Sequence, residues 1–227
     1  IILLVLDKIF RKNKIKKELL WFFSYSFLFL FLLFSFSFTN DALVLAGGRF
    51  FEGYLASDNT LPWIFTKGLL VQENFDFPSP LFADWLPSDR PPLYAAILMV
   101  PMAIFFGLNP LEGNYEILVP IFVSVSTIIN CFIFFPLTQF LRKYLSIKNT
   151  SIVLLSISTI PFFLVNITFS WPKIFAAIFV LYAMIFVLEK KWDLVWICST
   201  LAFLSHGGTI YFSFAVGILY FFPLLRN

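Results

Sequence analysis

The sequence has little charge and few of the residues that bind metals or form disulfides. Charged residues make up 13% of its 227 positions, whereas a soluble domain carries roughly 25%. It has one histidine, His206, and two cysteines, Cys131 and Cys198, which both lie inside apolar runs. We expect each cysteine to be a small buried hydrophobe. The lack of a second histidine argues against a histidine-based metal site.

The chain is rich in apolar and aromatic residues. Hydrophobic residues account for 60% of the sequence, 33 residues are phenylalanine, and the mean hydropathy is +0.89. This composition predicts an integral membrane protein of the all-α class, a polytopic transmembrane helical bundle. The net charge of +3 is small and the basic residues are clustered. The lipid bilayer is therefore the expected partner, and nucleic acid is not.

Six apolar segments have spanning length, and a seventh is ambiguous. The seventh, 93–108, contains Pro101 and follows Pro91 and Pro92. It is short for a span, and this pattern is typical of a re-entrant or surface-lying helix. The six predicted spans are residues 19–38, 117–141, 150–167, 172–188, 194–207 and 209–225.

The distribution of lysine and arginine favours one topology. If 93–108 does not cross, 12 of the 16 basic residues lie on the cytoplasmic side, and if it crosses, only 7 do. The positive-inside rule favours the first arrangement. We therefore predict a basic cytoplasmic or interfacial segment at 1–18 and a transmembrane domain at 19–227. This domain has six spans, both ends cytoplasmic, and a long outer loop, 39–116, that includes a juxtamembrane helix at 93–108.

The two ends of the chain suggest a larger protein. It opens at Ile1 and stops at Asn227 just after an apolar segment. We expect it to be a fragment of a longer polypeptide. The expected location is the bacterial cytoplasmic membrane.

Ionisable residues collect on the predicted outer face. Groups of this kind close to hydrocarbon are expected to pair or to serve a pathway or a reaction. Together they would suit a substrate with a lipid tail and a polar, phosphate-bearing head. The candidate site residues are Asp41, Asp58, Asp89, Arg90, Lys173 and His206.

The four candidates in the loop also have structural interpretations. Asp41 follows the first span and fits a solvated loop acid as well as a catalytic base. Asp58 fits an Asx turn or a helix N-cap. Asp89 and Arg90 fit a surface ion pair, although the two prolines that follow stiffen the backbone beside them.

The two later candidates are open in the same way. Lys173, in SWPK, fits a side chain that extends to the outer headgroups as well as a phosphate ligand. His206, in LSHGG, fits a hydrogen-bonded residue at a helix end as well as a group that binds phosphate or transfers a proton. The sequence identifies no cofactor. A divalent cation is the one cofactor that it leaves open.

Two stretches resemble the C-type glycosyltransferases, specifically the protein mannosyltransferase and lipid A aminoarabinose transferase-like superfamily. The first is TNDALVLAGGRFFEGY, an acid soon after the first span followed by a long outer loop. The second is SDRPPLYAAILMVP, which also resembles bacterial polytopic membrane proteins with an SDRPPL motif. The superfamily usually has two adjacent acids where Asp41 precedes Ala42, and often a lysine where this chain has Ser205 and His206.

The resemblance implies an inverting membrane glycosyltransferase. Such an enzyme moves a sugar from a polyprenyl-phosphate donor to a glycan, lipid or protein acceptor on the outer face. Asp41, with Asp58 as substitute, would be the base, and Asp89, Arg90, Lys173 and His206 would bind substrate. The alternatives are a transporter or lipid flippase, in which the acids and His206 form an ion-coupled path, and a non-catalytic membrane scaffold.

Overall fold

The computed structural model describes residues 15–35, 56–71, 91–107, 115–145 and 150–225. Within these ranges all regular secondary structure is helical, which confirms the all-α prediction. The described residues also contain two 3₁₀ turns, Cys131–Ile133 and Gly207–Thr209. In chain order the helices are α1 (Ile15–Ser35), α2 (Ala56–Val71), α3 (Leu93–Phe106), α4 (Tyr115–Asn130), α5 (Phe134–Lys143), α6 (Thr150–Thr159), α7 (Pro161–Thr168), α8 (Pro172–Leu188), α9 (Trp192–Ser205) and α10 (Ile210–Leu225).

Helices α4 and α5 and the turn between them form the longest apolar rod. Its apolar part, Pro120–Lys143, has 24 residues and a mean hydropathy of 2.0. At 1.5 Å per residue it is about 36 Å long, more than the roughly 30 Å of bilayer hydrocarbon. By length and composition, the described residues contain one helix able to cross a membrane, or two if the bent pair of α6 and α7 is one span.

The predicted span 150–167 is not one straight helix. Helices α6 and α7 meet at an angle of 76°. Ile160 is extended, with φ −65° and ψ 127°, and Pro161 is the first residue of α7. Because the proline ring disfavours the α conformation in the residue before it, the helix ends there and a new one starts in another direction. The predicted span at 150–167 is therefore a pair of helices broken at Ile160.

The other predicted spans coincide with apolar helices of moderate length. Helices α8, α9 and α10 have 17, 14 and 16 residues. Each is shorter than a typical spanning helix of about 20 residues. Helix α8 packs most extensively on α9. Cys131 and Cys198 are free and buried, as the sequence predicted.

Helix α1 packs its aromatic side chains on α5. The rings of Tyr25 and Phe134 stack with centroids 4.0 Å apart, and Phe29 is fully buried against the same helix. Other large apolar side chains lie on the outside of the bundle. Phe27, Phe162 and Phe214 expose 73%, 68% and 72% of their surface. Exposed apolar area on this scale favours contact with lipid or protein over water.

Candidate functional site

An open cleft lies where α2, α3 and α8 meet. Its empty volume is about 310 Å³, part of it continuous with the surface. The walls are almost wholly apolar, and each of the three elements contributes a proline. The lining residues are Leu61, Pro62, Phe65, Pro91, Tyr94, Ala95, Trp171 and Pro172. We call this the proline cleft.

The prolines explain why the chain turns at the cleft. Pro172 occupies the first position of α8, and Pro92 lies directly before α3. Proline suits such starts because its fixed φ is helical and its missing N–H has no partner to lose in a first turn. Trp171, just before Pro172, is extended with ψ 138°, as expected of a residue that precedes proline. The cleft is thus a place where two helices begin side by side.

A buried polar network joins two walls of the cleft beneath its surface. The hydroxyl of Tyr94 shares a hydrogen bond of 2.6 Å with Ser126 Oγ and donates to Asn130 Oδ1 at 3.5 Å. Asn130 Nδ2 donates to the carbonyls of Ile167 and Phe169 at 3.1 and 3.2 Å. Asn130 is fully buried and Tyr94 is 2% exposed. One amide therefore connects the start of α3 to the connector that leads into α8.

Burial keeps the Tyr94 hydroxyl neutral. Desolvation raises its pKa above the ordinary value, although its hydrogen bonds with Ser126 and Asn130 act in the opposite direction. Helix α2 is tied to the same helix start, because Thr66 Oγ1 donates to the carbonyl of Ala95 at 3.2 Å. All three walls are thus held by hydrogen bonds or by the backbone connected to them.

The opposite end of α8 gives a reference point for the position of the cleft along the bundle. There, Lys143 at the end of α5 forms an ion pair with Glu189. Asn130 lies thirteen residues before Lys143, or about 20 Å along the helix axis. Helix α8, with 17 residues, is about 25 Å long. The cleft therefore lies about 20 to 25 Å from the ion pair, and the first half of α4 continues beyond it.

Helix α2 packs on that first half of α4. The rings of Trp63 and Phe122 meet edge to face with centroids 5.2 Å apart. Phe122 comes before Ser126 and Asn130 in α4, on the side away from the ion pair. Helix α2 thus contacts α4 on the side of Asn130 that faces away from the ion pair.

Lys173 is beside the cleft at the start of α8. Its side chain is exposed, and Nζ lies 3.4 Å from the centroid of the Trp171 ring. A cation in the first turn of a helix is unfavourably placed relative to the helix dipole. The aromatic face offsets part of this cost. Lys173 and the helix N-terminus together make this edge of the cleft electropositive, which suits an anionic group.

His206 lies at the end of α9 and caps the next turn. Its Nδ1 accepts a hydrogen bond of 3.1 Å from the backbone N–H of Gly208. This Nδ1 must be unprotonated to accept, so the neutral ring carries its proton on Nε2. The turn is next to the cleft, because a Cβ on Gly207 would be 4.0 Å from Pro91 Cγ. His206 is thus a hydrogen-bonded residue at a helix end, as one of its two interpretations predicted.

Three of the predicted site residues, Asp41, Asp89 and Arg90, lie outside the described residues. Asp58 is in the first turn of α2, which begins at Ala56, and its side chain lies outside them too. Their neighbours are informative. Pro91, directly after Arg90, lines the cleft, and Leu61 and Pro62 follow Asp58 by about one helical turn. Pro91 and α2 thus share one cleft with Trp171 and Pro172, the residues directly before Lys173.

Sequence reasoning did not identify Tyr94, Asn130 or Trp171. Tyr94 lies in the stretch SDRPPLYAAILMVP, and Trp171 precedes Lys173 in SWPK. For Asn130 a signal existed, because it is an amide inside the apolar segment 117–141. A polar side chain in such a segment usually faces the interior of the bundle and finds a partner there. The candidates taken from the sequence were all ionisable residues, so the amide of Asn130 was not among them.

The comparisons and the search for metal ligands gave no matches. Among the residues that the structure describes, no group of three or more histidine, cysteine, aspartate or glutamate side chains could hold a metal ion. No protein-family model, curated protein or solved structure matches the chain.

Proposed function

We propose that this chain belongs to a membrane glycosyltransferase that transfers a sugar from a polyprenyl-phosphate donor to an acceptor on the outer face. One observation carries the proposal. The proline cleft brings the segment after Arg90, the turn before Lys173 and the first turns of the Asp58 helix to one place. The resemblance assigns the first two of these segments to substrate binding and the third to the substitute base. The electropositive edge at Lys173 suits the donor phosphate.

The proposal includes a topology of six spans with both ends in the cytoplasm and α3 on the outer side. Two features support it. Basic residues at the end of α5 and in the turn between α8 and α9 meet at one end of the bundle, as the positive-inside rule requires. The exposed side of α3 is apolar, with Ile104 and Phe105 exposed by 75% and 70%, which suits contact with hydrocarbon.

On this topology the cleft opens within the outer leaflet. It lies about 20 to 25 Å from the basic end, whereas the hydrocarbon of a bilayer is roughly 30 Å thick. A prenyl chain in the membrane could reach its apolar walls without leaving the lipid. The charged phosphate would lie at the Lys173 edge, closer to water, because burial of an unpaired charge is costly.

The proposed reaction is the one that the resemblance implies. A carboxylate, Asp41 or Asp58, accepts the proton of the acceptor hydroxyl or amine as the acceptor oxygen or nitrogen bonds to the anomeric carbon of the sugar. The bond from that carbon to the phosphate oxygen breaks, and the polyprenyl phosphate leaves with the electron pair. Arg90, Lys173 or His206 stabilises the charge on the phosphate, Asp89 belongs to the same donor site, and attack from the far side inverts the anomeric centre.

A binding experiment tests the donor site without knowledge of the sugar. We expect purified protein to bind undecaprenyl phosphate, and Lys173→Gln to weaken binding about tenfold through loss of one charge-assisted contact. Lys67→Gln removes the same charge from an exposed residue of α2 that does not line the cleft, and it is the matched control. Equal losses in the two variants, or no loss with Lys173→Gln, would contradict the donor site.

The bent pair of α6 and α7 favours a second candidate, a transporter or flippase. Discontinuous helices often form the substrate sites of transporters. The residues at this break are Ser158, Thr159, Ile160 and Pro161, none of them ionisable. A dithionite assay on fluorescent lipid in reconstituted vesicles distinguishes the candidates. Lipid exchange between leaflets without any sugar transfer would favour the flippase over the enzyme.

A further inference from the structure

The turn between α8 and α9 has an unusual residue in a common motif. Lys191 N–H donates to the carbonyl of Phe186 at 2.9 Å, and Lys190 N–H donates to that of Val187 at 3.0 Å. These two bonds are those of a Schellman motif, which ends many helices and places one residue in the left-handed conformation. That residue is Lys190, with φ +57°.

Glycine is the usual residue at this position because a Cβ there is sterically unfavourable. Among the described residues, Lys190 alone has a positive φ without being glycine. Its side chain is exposed, so packing in the bundle does not account for it. A residue that tolerates backbone strain at an exposed position is a reason to look for a function of its side chain.

The neighbouring charges are held in place by one carboxylate. Glu189 pairs through one oxygen with Lys143 and through the other with Lys191, at 2.7 Å for the second pair. Tyr144 OH donates to the carbonyl of Ile185 at 3.3 Å, which adds a second link between α5 and α8. The ion pairs therefore fix Lys143 and Lys191 on either side of Glu189.

The surface around Glu189 has an excess of positive charge. Arg142, Lys143, Lys190 and Lys191 are all exposed. The acids nearby are Glu189, Asp193 in the first turn of α9, and Glu18, which interacts electrostatically with Arg142. Among the described side chains, four cations here outnumber three acids.

Apolar side chains lie beside these cations. Leu188, the last residue of α8, is 55% exposed, and Leu145, just after α5, is 54% exposed. Cations next to exposed aliphatic side chains match the boundary between lipid headgroups and acyl chains. A soluble anionic ligand without an apolar part would make no favourable contact with the two leucines.

We propose that the basic turn, Arg142 to Leu145 with Leu188 to Lys191, binds the phosphate of an anionic phospholipid in the cytoplasmic leaflet. A turn of this type usually contains glycine at position 190, and the lysine there supplies an additional positive charge to the site. The phosphate lies among the exposed ammonium groups, and the acyl chains lie along Leu145 and Leu188. This inference rests on the proposed membrane orientation and is independent of sugar transfer.

The test measures retained lipid by native mass spectrometry of the full chain in mixed detergent and lipid micelles. The probes are palmitoyl-oleoyl phosphatidylglycerol and the matching phosphatidylcholine. We expect the wild type to retain phosphatidylglycerol in preference, and Lys190→Gly to lower this preference about fivefold, as for the loss of one lysine near a membrane surface. Lys190→Arg, which keeps the charge, should retain the preference.

Two controls keep the outcome decisive. Lys67→Ala removes one charge from α2, near the cleft, and should leave the preference unchanged. Because glycine relieves the strained turn, Lys190→Gly should also melt at the same or a higher temperature than the wild type, so misfolding cannot explain its loss of lipid. Unchanged lipid preference in Lys190→Gly, an equal loss in Lys67→Ala, or full competition by soluble glycerol phosphate would overturn the proposal.

Discussion

The two ends of helix α8 differ in how they hold their polar groups. At Glu189 the charges are exposed and numerous, and ion pairs in contact with solvent connect α8 to α5. Near Pro172 the polar groups are few and buried, and the network of Tyr94, Ser126 and Asn130 connects the segment that leads into α8 to α3 and α4. The cleft end should therefore depend on hydrogen-bond satisfaction, and the basic end on charge and solvent.

The largest difference between the ends should appear when the buried amide is removed. Asn130→Leu removes the amide that donates to the carbonyls of Ile167 and Phe169. The Ile167 carbonyl loses its side-chain donor, whereas the Phe169 carbonyl keeps the N–H of Trp171 and the Tyr94 hydroxyl keeps Ser126. We expect a loss of about 2 kcal/mol in the free energy of unfolding, since an unsatisfied buried group costs roughly 1 to 3 kcal/mol. Titration with sodium dodecyl sulfate in mixed micelles measures it.

Thr127→Val is the matched control for Asn130→Leu. Thr127 is fully buried on the same helix, and its hydroxyl donates only to the Val123 carbonyl one turn earlier, at 2.9 Å. That carbonyl keeps its place in the helix, so we expect a cost of about 1 kcal/mol or less. If the two variants lose the same stability, the Asn130 network does not hold the cleft end together.

The glycines after His206 give a second, smaller test at the cleft end. A Cβ on Gly208 would lie 2.9 Å from His206 Cε1, so the ring must move and lose its hydrogen bond. We expect Gly208→Ala to cost about 1 kcal/mol and to weaken undecaprenyl phosphate binding. Gly207→Ala meets only an ordinary contact with Pro91 and should be neutral in both measurements.

The helices were predictable from the sequence, whereas their junctions were not. Apolar runs at 172–188 and 209–225 match α8 and α10 within about one residue, because apolar length is a local property. Helix α2 was missed, since its polar residues and Pro62 hide it inside a predicted loop. The break at Ile160 was missed as well, although Pro161 was its signal.

The cleft could be anticipated only in part. Each proline motif indicates a turn, but no motif tells which turns meet in space. Asn130 connects positions 37 and 39 residues away in the chain, and pairings at that range depend on the packing of whole helices. The charges at the basic end were easier to place, because topology alone puts Lys143 and Lys191 on one side.

At the basic end, relief of backbone strain should stabilise the protein slightly. Lys190→Gly replaces a residue at φ +57° with one that adopts this conformation freely. We expect a gain of up to about 1 kcal/mol, less whatever glycine costs through the entropy of the unfolded chain. Sodium dodecyl sulfate titration against the wild type measures this. Loss of stability would mean that the Lys190 side chain holds the turn itself.

The smallest expected effect is the pH dependence of the same end. Hydrogen bonds from Lys143 and then Lys191 lower the pKa of Glu189 from 4.5 to about 2. A carboxylate whose pKa is lower in the folded state contributes stability above its unfolded pKa, and loses it as the pH falls from 4.5 towards 2. Glu189→Gln should remove this contribution, so the difference in melting temperature between wild type and variant should shrink over that window. A difference that stays constant from pH 6 to pH 2.5 would show that solvent screens these ion pairs and that they do not hold α5 to α8. The buried network around Asn130 would then be the main polar link near either end of α8.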